Sequence, residues 1–410
     1  MTLDPKTYHL RTLFLFFLIC SAFFYDALLR SCINSIYSFL QSSPYQLTDV
    51  QIGSLAFSFF LPYAILQLLA GFLLDRISVQ RVLSLSLVII SCGCLFMLTS
   101  HYHYMLTGRA MMGIGAAGLF LSGAYFIQYA FPLKKIGLFM GYYLAAGFLG
   151  GFAANAPFLY FVRWIGLANT WLILSLFGFI LLLTINLFGI PLNIITTEDT
   201  LTTDSKKRLA ITPAKIVLIV ILIGITGGLM DTITGVFGSL WGTHFLHVTK
   251  KLPETAASFI ASLVFIGYMF GCPLFGWLFS HTRKLFIYAA VAAATASFVF
   301  FILIYNKHTF SMLSILSLLL GLLAGSNLFA FRLPFLYSLK HGGFLLALSN
   351  FLVMLINSIF QLIIPYVFQK TQEMILATSI FIIITASAAS FAYLLYCISG
   401  VKNLQELTDD

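Results

Sequence analysis

Long apolar runs, repeated along the whole chain and separated by short polar breaks, decide what this sequence can fold into. A helix needs about 20 apolar residues to cross the hydrocarbon core of a bilayer. Twelve runs of that order are present, at 11–40, 50–74, 81–100, 103–131, 136–162, 167–190, 214–246, 255–280, 284–305, 309–337, 342–369 and 374–398. A transmembrane barrel would instead show alternating segments of about 10 residues. Composition supports the same reading: 60% of the 410 residues are hydrophobic and 9% are charged, against about 25% charged in soluble domains. A soluble globular domain is excluded, and so is a disordered chain, which lacks apolar residues to bury. The six cysteines all lie inside apolar runs and are expected to be reduced, buried thiols. Cys92 and Cys94 stand too close together for a zinc pair, and neither a metal nor a cofactor is expected. The first run has a basic flank but no convincing small-x-small cleavage site, and its apolar character continues past residue 25, so it reads as an uncleaved helix.

Lys and Arg set the orientation. With the N-terminus in the cytoplasm, fourteen of the 22 cations fall in cytoplasmic segments, five fall outside, and Arg30, Arg109 and Arg332 lie within spans. The bias predicts both termini inside. It also accounts for the net charge of +9 without a nucleic-acid partner, because the cations are scattered over short loops. The longest polar stretch, 191–213, lies between spans six and seven and reads as a cytoplasmic linker. The expected organisation is an N-terminal six-helix bundle over 1–190, the linker, and a C-terminal six-helix bundle with a short cytoplasmic tail over 214–410.

Six spans on each side invite a test for an internal repeat. Gly71-Phe-Leu-Leu-Asp75-Arg76, followed by Arg81, has a degenerate second copy at Gly276-Trp-Leu-Phe-Ser280 and Arg283-Lys284. The two glycines are 205 residues apart, and the same offset places Asp26 on Asp231 and Tyr63 on Tyr268.

The Gly71…Arg81 segment resembles the signature between helices 2 and 3 of the major facilitator superfamily, and Arg109-x-x-x-Gly113-x-Gly115-Ala-Ala117 resembles that superfamily's helix-4 signature. The resemblance implies an all-α polytopic membrane protein with twelve transmembrane helices in two six-helix bundles, rocking about a central site. It also implies a conformational gate at Gly71, Asp75, Arg76 and Arg81. Here Ser78, Val79 and Ser280 replace residues usual in those signatures, which weakens the expected ionic latch. Within the superfamily, the first two spans look like the anion and proton symporter branch. Ala116 stands where that branch commonly carries Glu, and span five lacks the Gly-Pro pair of the drug antiporters.

An ionisable residue inside the bilayer is costly and is a functional candidate by default. Asp26 and Arg30 lie in span one, Arg109 in span four, Asp231 in span seven and Arg332 in span ten. By resemblance these four spans line the cavity. Asp26 and Arg30 are four residues apart and share a helical face. Arg30, Tyr63, Arg109, Tyr268 and Arg332 are therefore expected to bind substrate, and Asp26 and Asp231 to carry the coupling proton. The structural alternatives are a self-neutralising Asp26–Arg30 pair, a helix-to-helix hydrogen-bonding role for Arg109, a hydrogen-bonded structural acid at Asp231 and a snorkelling Arg332. Weaker polar and aromatic candidates are Tyr25, Gln67, Tyr125, Gln128, Trp241, Asn327, Asn350 and Gln361.

The expected function is secondary active transport of a small organic anion by alternating access, proton-coupled and in the import direction. A zwitterion importer or an exporter is the neighbouring alternative. No phosphate-binding loop of the ATP-driven type is present. The short linker and tail speak against a ligand sensor. An intramembrane enzyme is not expected, because no nucleophile–base or metal motif occurs. The expected partners are the substrate, the proton and the bilayer of a bacterial inner membrane, with the protein acting as a monomer.

Overall fold

The computed structural model describes residues 5–74, 77–131, 133–189, 213–281, 284–306, 309–330 and 342–399. The helices follow the apolar runs closely. In the first compact unit, Met1–Ile194, they are α1 (Pro5–Ser31), α2 (Asp49–Leu74), α3 (Val79–Phe96), α4 (Tyr102–Ala130), α5 (Leu133–Ala153 and Ala156–Ile165) and α6 (Leu167–Phe188). In the second, Ile195–Asp410, they are α7 (Pro213–Thr232, Ile233–Trp241 and Gly242–Lys250), α8 (Glu254–His281), α9 (Leu285–Tyr305), α10 (Phe310–Ala324 and Gly325–Asn327, continuing to Ala330), α11 (Gly342–Thr371) and α12 (Met374–Ser399). The expected linker at 191–213 lies outside the described residues apart from Pro213, the first residue of α7.

Among the described residues, eleven helices are long and apolar enough to cross a membrane, or twelve if the two segments of α5 form one span. Span five, read as one run at 136–162, bends by 51°. The cause is local. Pro157 enters the second segment with no amide hydrogen to give, and the Asn155 side chain donates to the Gly151 carbonyl at 2.9 Å. The first run is also shorter as a helix than as an apolar stretch. Beyond Ser31 it tightens into a 3-10 turn at Cys32–Asn34, and a short helix follows at Tyr37–Gln41.

The same packing scheme recurs in each unit. In the first, α1 packs on α5 and α6, α4 on α2 and α3, and α3 on α6. In the second, α7 packs on α11 and α12, α10 on α8 and α9, and α9 on α12. Adding six to each helix number converts one scheme into the other. The correspondence reaches single residues. A Cβ added at Gly113 of α4 would meet the Phe59 carbonyl of α2 at 2.1 Å, and one added at Gly321 of α10 would meet the Val264 carbonyl of α8 at 1.9 Å. Phe59 and Val264 are separated by the 205-residue offset. Helix association within membranes relies on such close backbone approaches, because lipid is as apolar as the side chains.

Candidate functional site

In the first unit the candidate site is built on the last two turns of α1. Asp26 is 1% exposed and neither carboxylate oxygen has a hydrogen-bond partner. Four residues on, Arg30 is half-buried, and its guanidinium makes no hydrogen bond or ion pair among the described residues. The two charges share a helical face, as their spacing predicts, yet they do not close on each other. Coulomb attraction from Arg30 and Arg109 reaches Asp26. A buried charge without donors is among the most expensive groups a protein can hold, so its presence here calls for a proton or a ligand.

Arg109 behaves differently. It is fully buried, and its three nitrogens are spent on backbone carbonyls: Nε on Leu55 at 3.1 Å, Nη1 on Leu29 at 2.6 Å and Nη2 on Arg30 at 3.4 Å. The guanidinium also lies 4.7 Å from the centre of the Phe59 ring. Leu29 and Arg30 belong to the last turn of α1, where the coming 3-10 turn leaves carbonyls without their α-helical donors. Arg109 supplies those donors and ties α1, α2 and α4 together. Of its two expected roles, the hydrogen bonds serve the structural one.

The remaining contacts fix the end of α1 against α5. Asn34 Nδ2 donates to Asn155 Oδ1 at 2.6 Å and Ser35 Oγ to the Ala154 carbonyl at 2.8 Å, so the breaks in the two helices hold each other. Tyr25 turns away from Asp26 in its bonding and donates to the Leu174 carbonyl of α6 at 2.8 Å. Tyr63 is buried in α2 and accepts from Gln67 Nε2 at 2.9 Å.

The second unit holds the other aspartate in the opposite condition. Asp231 Oδ1 accepts from Asn327 Nδ2 at 3.0 Å and Thr234 Oγ1 at 3.1 Å, and Oδ2 accepts from Asn357 Nδ2 at 3.0 Å. Tyr268 donates to Asn327 Oδ1, which brings in α8. Gln361 Nε2 donates to the Gly235 carbonyl at 2.7 Å. One polar cluster thus joins α7, α8, α10 and α11. Just past Asp231 the backbone of α7 widens into a π-helix over Ile233–Trp241, a form that is rare and concentrated at functional sites. Hydroxyl groups close its junctions: Thr232 donates to the Leu229 carbonyl and Ser239 to that of Thr234, while Thr234 shares its one hydrogen between the Asp231 carbonyl and Oδ1. Both first helices therefore depart from α geometry soon after their aspartate, α1 by tightening and α7 by widening.

The structure brings Asp231, Tyr268, Asn327 and Gln361 together. Trp241 is buried and donates instead to Thr378 on α12 at 2.9 Å. Asn350 is buried in α11, and Tyr125 is half-buried in α4. Of the expected gate, Gly71 lies near the end of α2 and Arg81 is exposed in the first turn of α3. Asp75, Arg76 and Arg332 lie outside the described residues, as does the side chain of Gln128. Sequence reasoning missed Asn357 and Thr234. The signal for Asn357 was its place four residues before Gln361 and seven after Asn350, on one polar stripe of an otherwise apolar helix.

Among solved structures the chain is similar to a bacterial homologue of the human lysosomal transporter Spinster. In its inward-facing, occupied conformation that protein shows 14% sequence identity and a TM-score of 0.70, with 95% of this chain and 98% of that chain covered. In its inward-facing, unoccupied conformation the identity is 14% and the TM-score 0.67, with 98% and 99% covered. At this identity the likeness speaks for the fold. No curated protein sequence matches the chain. The family model of the Major Facilitator Superfamily matches residues 19–331. With that match spanning most of its length and apolar helices in both units, the chain belongs to the Major Facilitator Superfamily and is a multi-pass membrane transporter, not an enzyme.

Proposed function

We propose that this transporter carries a small organic anion together with a proton by alternating access, as in the anion and proton symporter branch of its superfamily. The observation that carries the reading is the uncommitted pair on α1: a buried Asp26 carboxylate with no donor, and an Arg30 guanidinium with no acceptor among the described residues. A guanidinium with all its donors available suits a carboxylate or phosphate on the substrate. Once an anion occupies Arg30, Asp26 loses part of the attraction that offsets its charge, and taking up a proton then relieves it. Substrate and proton would in this way favour each other's binding, which is what symport requires.

Tyr63 and Gln67 on α2 and Tyr268 on α8 are proposed to shape the substrate site. Arg109 positions Arg30 through its backbone carbonyl. Arg332 keeps its proposed substrate role on the strength of its place in span ten, and Gly71, Asp75, Arg76 and Arg81 keep that of a gate. Asp231, by its three donors, is held as a binding element more firmly than as a proton carrier. The similar structures were captured inward-facing, both occupied and unoccupied, which supports alternating access. The proposed organisation is two six-helix bundles over 1–190 and 214–410 joined by the cytoplasmic segment 191–213, in a monomer of the bacterial inner membrane with both termini inside. The neighbouring reading, a zwitterion carrier, draws on the acceptor-rich cluster around Asp231. Proteoliposomes with an imposed pH gradient decide: uptake of an organic anion should rise with inward proton flow in the wild type and lose its pH dependence in Asp26→Asn. Uptake indifferent to the gradient would remove the proton from the mechanism.

A further inference from the structure

The two aspartates separated by the 205-residue offset differ in what stands four residues later. In α1 that residue is Arg30, a fixed cation; in α7 it is Gly235. Around Gly235 the structure gathers oxygen. Gln361 spends its Nε2 on the Gly235 carbonyl at 2.7 Å, and its Oε1 is buried without a donor. Asn357 spends its Nδ2 on Asp231 Oδ2 at 3.0 Å and on the Val353 carbonyl at 2.9 Å, and its Oδ1 is likewise buried without a donor. Both residues are 0% exposed. The Asn357 amide is packed so close to Gly235 that a Cβ there would fall 2.2 Å from Oδ1. Each amide is thus oriented with its donor used and its acceptor left over, an arrangement that costs free energy in a buried site and that a bound cation would relieve. At the 205 offset the first unit has Phe152 and Ala156 in place of Asn357 and Gln361. One unit therefore supplies a cation by covalent attachment, while the other supplies acceptors at the matching place.

We propose that the Asp231–Gly235 segment of α7, with Asn357 and Gln361 of α11, forms a binding site for a monovalent cation. One carboxylate and neutral amide oxygens match a single positive charge, and an irregular helix segment beside a carboxylate is how transporters commonly hold a coupling ion. The cation can be free, with Na+ as the probe, or it can be the primary ammonium of a substrate, with methylammonium as the probe. The proposal goes beyond proton-coupled anion transport and is tested without it, by binding alone.

The test is thermal unfolding of the purified full-length protein with NaCl, methylammonium chloride or choline chloride at equal ionic strength, in wild type, Gln361→Leu and Gln361→Glu. The expected result is a higher midpoint in Na+ than in choline, an effect abolished by Gln361→Leu and enlarged by Gln361→Glu, which adds a negative charge and, having no donor for the Gly235 carbonyl, leaves that oxygen to the cation as well. The same pattern with methylammonium in place of Na+ supports the site and assigns the cation to a substrate. Equal midpoints in all three salts for the wild type, or a cation effect that survives Gln361→Leu, overturn the proposal. Should Gln361→Leu fail to fold, Gly235→Ala replaces it, since its methyl group displaces the Asn357 oxygen and is expected to abolish the cation effect. The wild-type and Gln361→Glu arms still decide.

Discussion

Asp26 and Asp231 offer a controlled comparison inside one molecule, because the same substitution to Asn meets opposite surroundings. Asp231 accepts three hydrogen bonds of 3.0 to 3.1 Å from Asn327, Thr234 and Asn357. In Asp231→Asn one oxygen becomes an NH2 group. Whichever way the amide turns, it presents a donor to a donor. The least costly choice keeps the two bonds on Oδ1 and loses the Asn357 bond, and Asn357 cannot rotate to recover it without giving up the Val353 carbonyl. A bond to a charged group contributes about 1.5–3 kcal/mol and one between neutral groups about 0.5–1.5 kcal/mol. One lost bond and two weakened ones, less the relief of no longer burying a charge, leave a destabilisation of about 3 kcal/mol, or roughly a hundredfold in the folding equilibrium. Asp26 has no hydrogen bond to lose, and Asp26→Asn removes a buried charge that has no donors, so it is expected to leave stability unchanged or to raise it. Reversible unfolding of the purified protein in mixed micelles, followed by tryptophan fluorescence, measures both. Equal destabilisation at the two positions, or a larger loss at Asp26, would mean that the hydrogen bonds on Asp231 do not set its share of the stability.

Two further outcomes test the packing and the Arg109 clamp. Gly113→Ala puts a methyl group 2.1 Å from the Phe59 carbonyl, where a relaxed C···O contact needs about 3.3 Å; α2 and α4 must part, at a cost of about 1–3 kcal/mol. Gly141→Ala, inside a helix with nothing within 4 Å, should not destabilise in the same unfolding assay and should gain up to about 1 kcal/mol from the helix preference of Ala over Gly. Arg109→Lys keeps the charge but replaces a three-nitrogen fork with a single ammonium. It should lower the unfolding midpoint and reduce transport through a misplaced Arg30, while Arg109→Met, with no donors at all, should do more of both.

The membrane helices were legible in the sequence because their signal is collective. Twenty apolar side chains in a row leave few alternatives, and the helix limits fall close to those read from hydropathy. The bend in α5 was not, since hydropathy is blind to a break made by Asn155 and Pro157 within an apolar run. Charged residues inside spans were equally visible, but their partners were not. Arg109 bonds to backbone carbonyls, and a carbonyl stands at every position of every chain. Asp26 and Asp231 look alike in sequence. What separates them is a pair of amides 96 and 126 residues beyond Asp231, a distance over which no local pattern reaches. The offset of 205 residues was the one long-range signal available. It located the repeated aspartate and tyrosine, yet the substitution of Gly235 for Arg30 became informative only when the surroundings of each were known.

If Arg30 is an uncommitted cation awaiting an anionic substrate, an anion that occupies it should stabilise the folded protein. Purified wild type and Arg30→Ala are unfolded thermally against a panel of organic anions, amino acids and sugars. A ligand that binds only the folded protein raises the midpoint by mass action. At least one organic anion is expected to stabilise the wild type and to leave Arg30→Ala unmoved. An anion that stabilises both proteins equally would contradict it and make Arg30 a structural residue of α1.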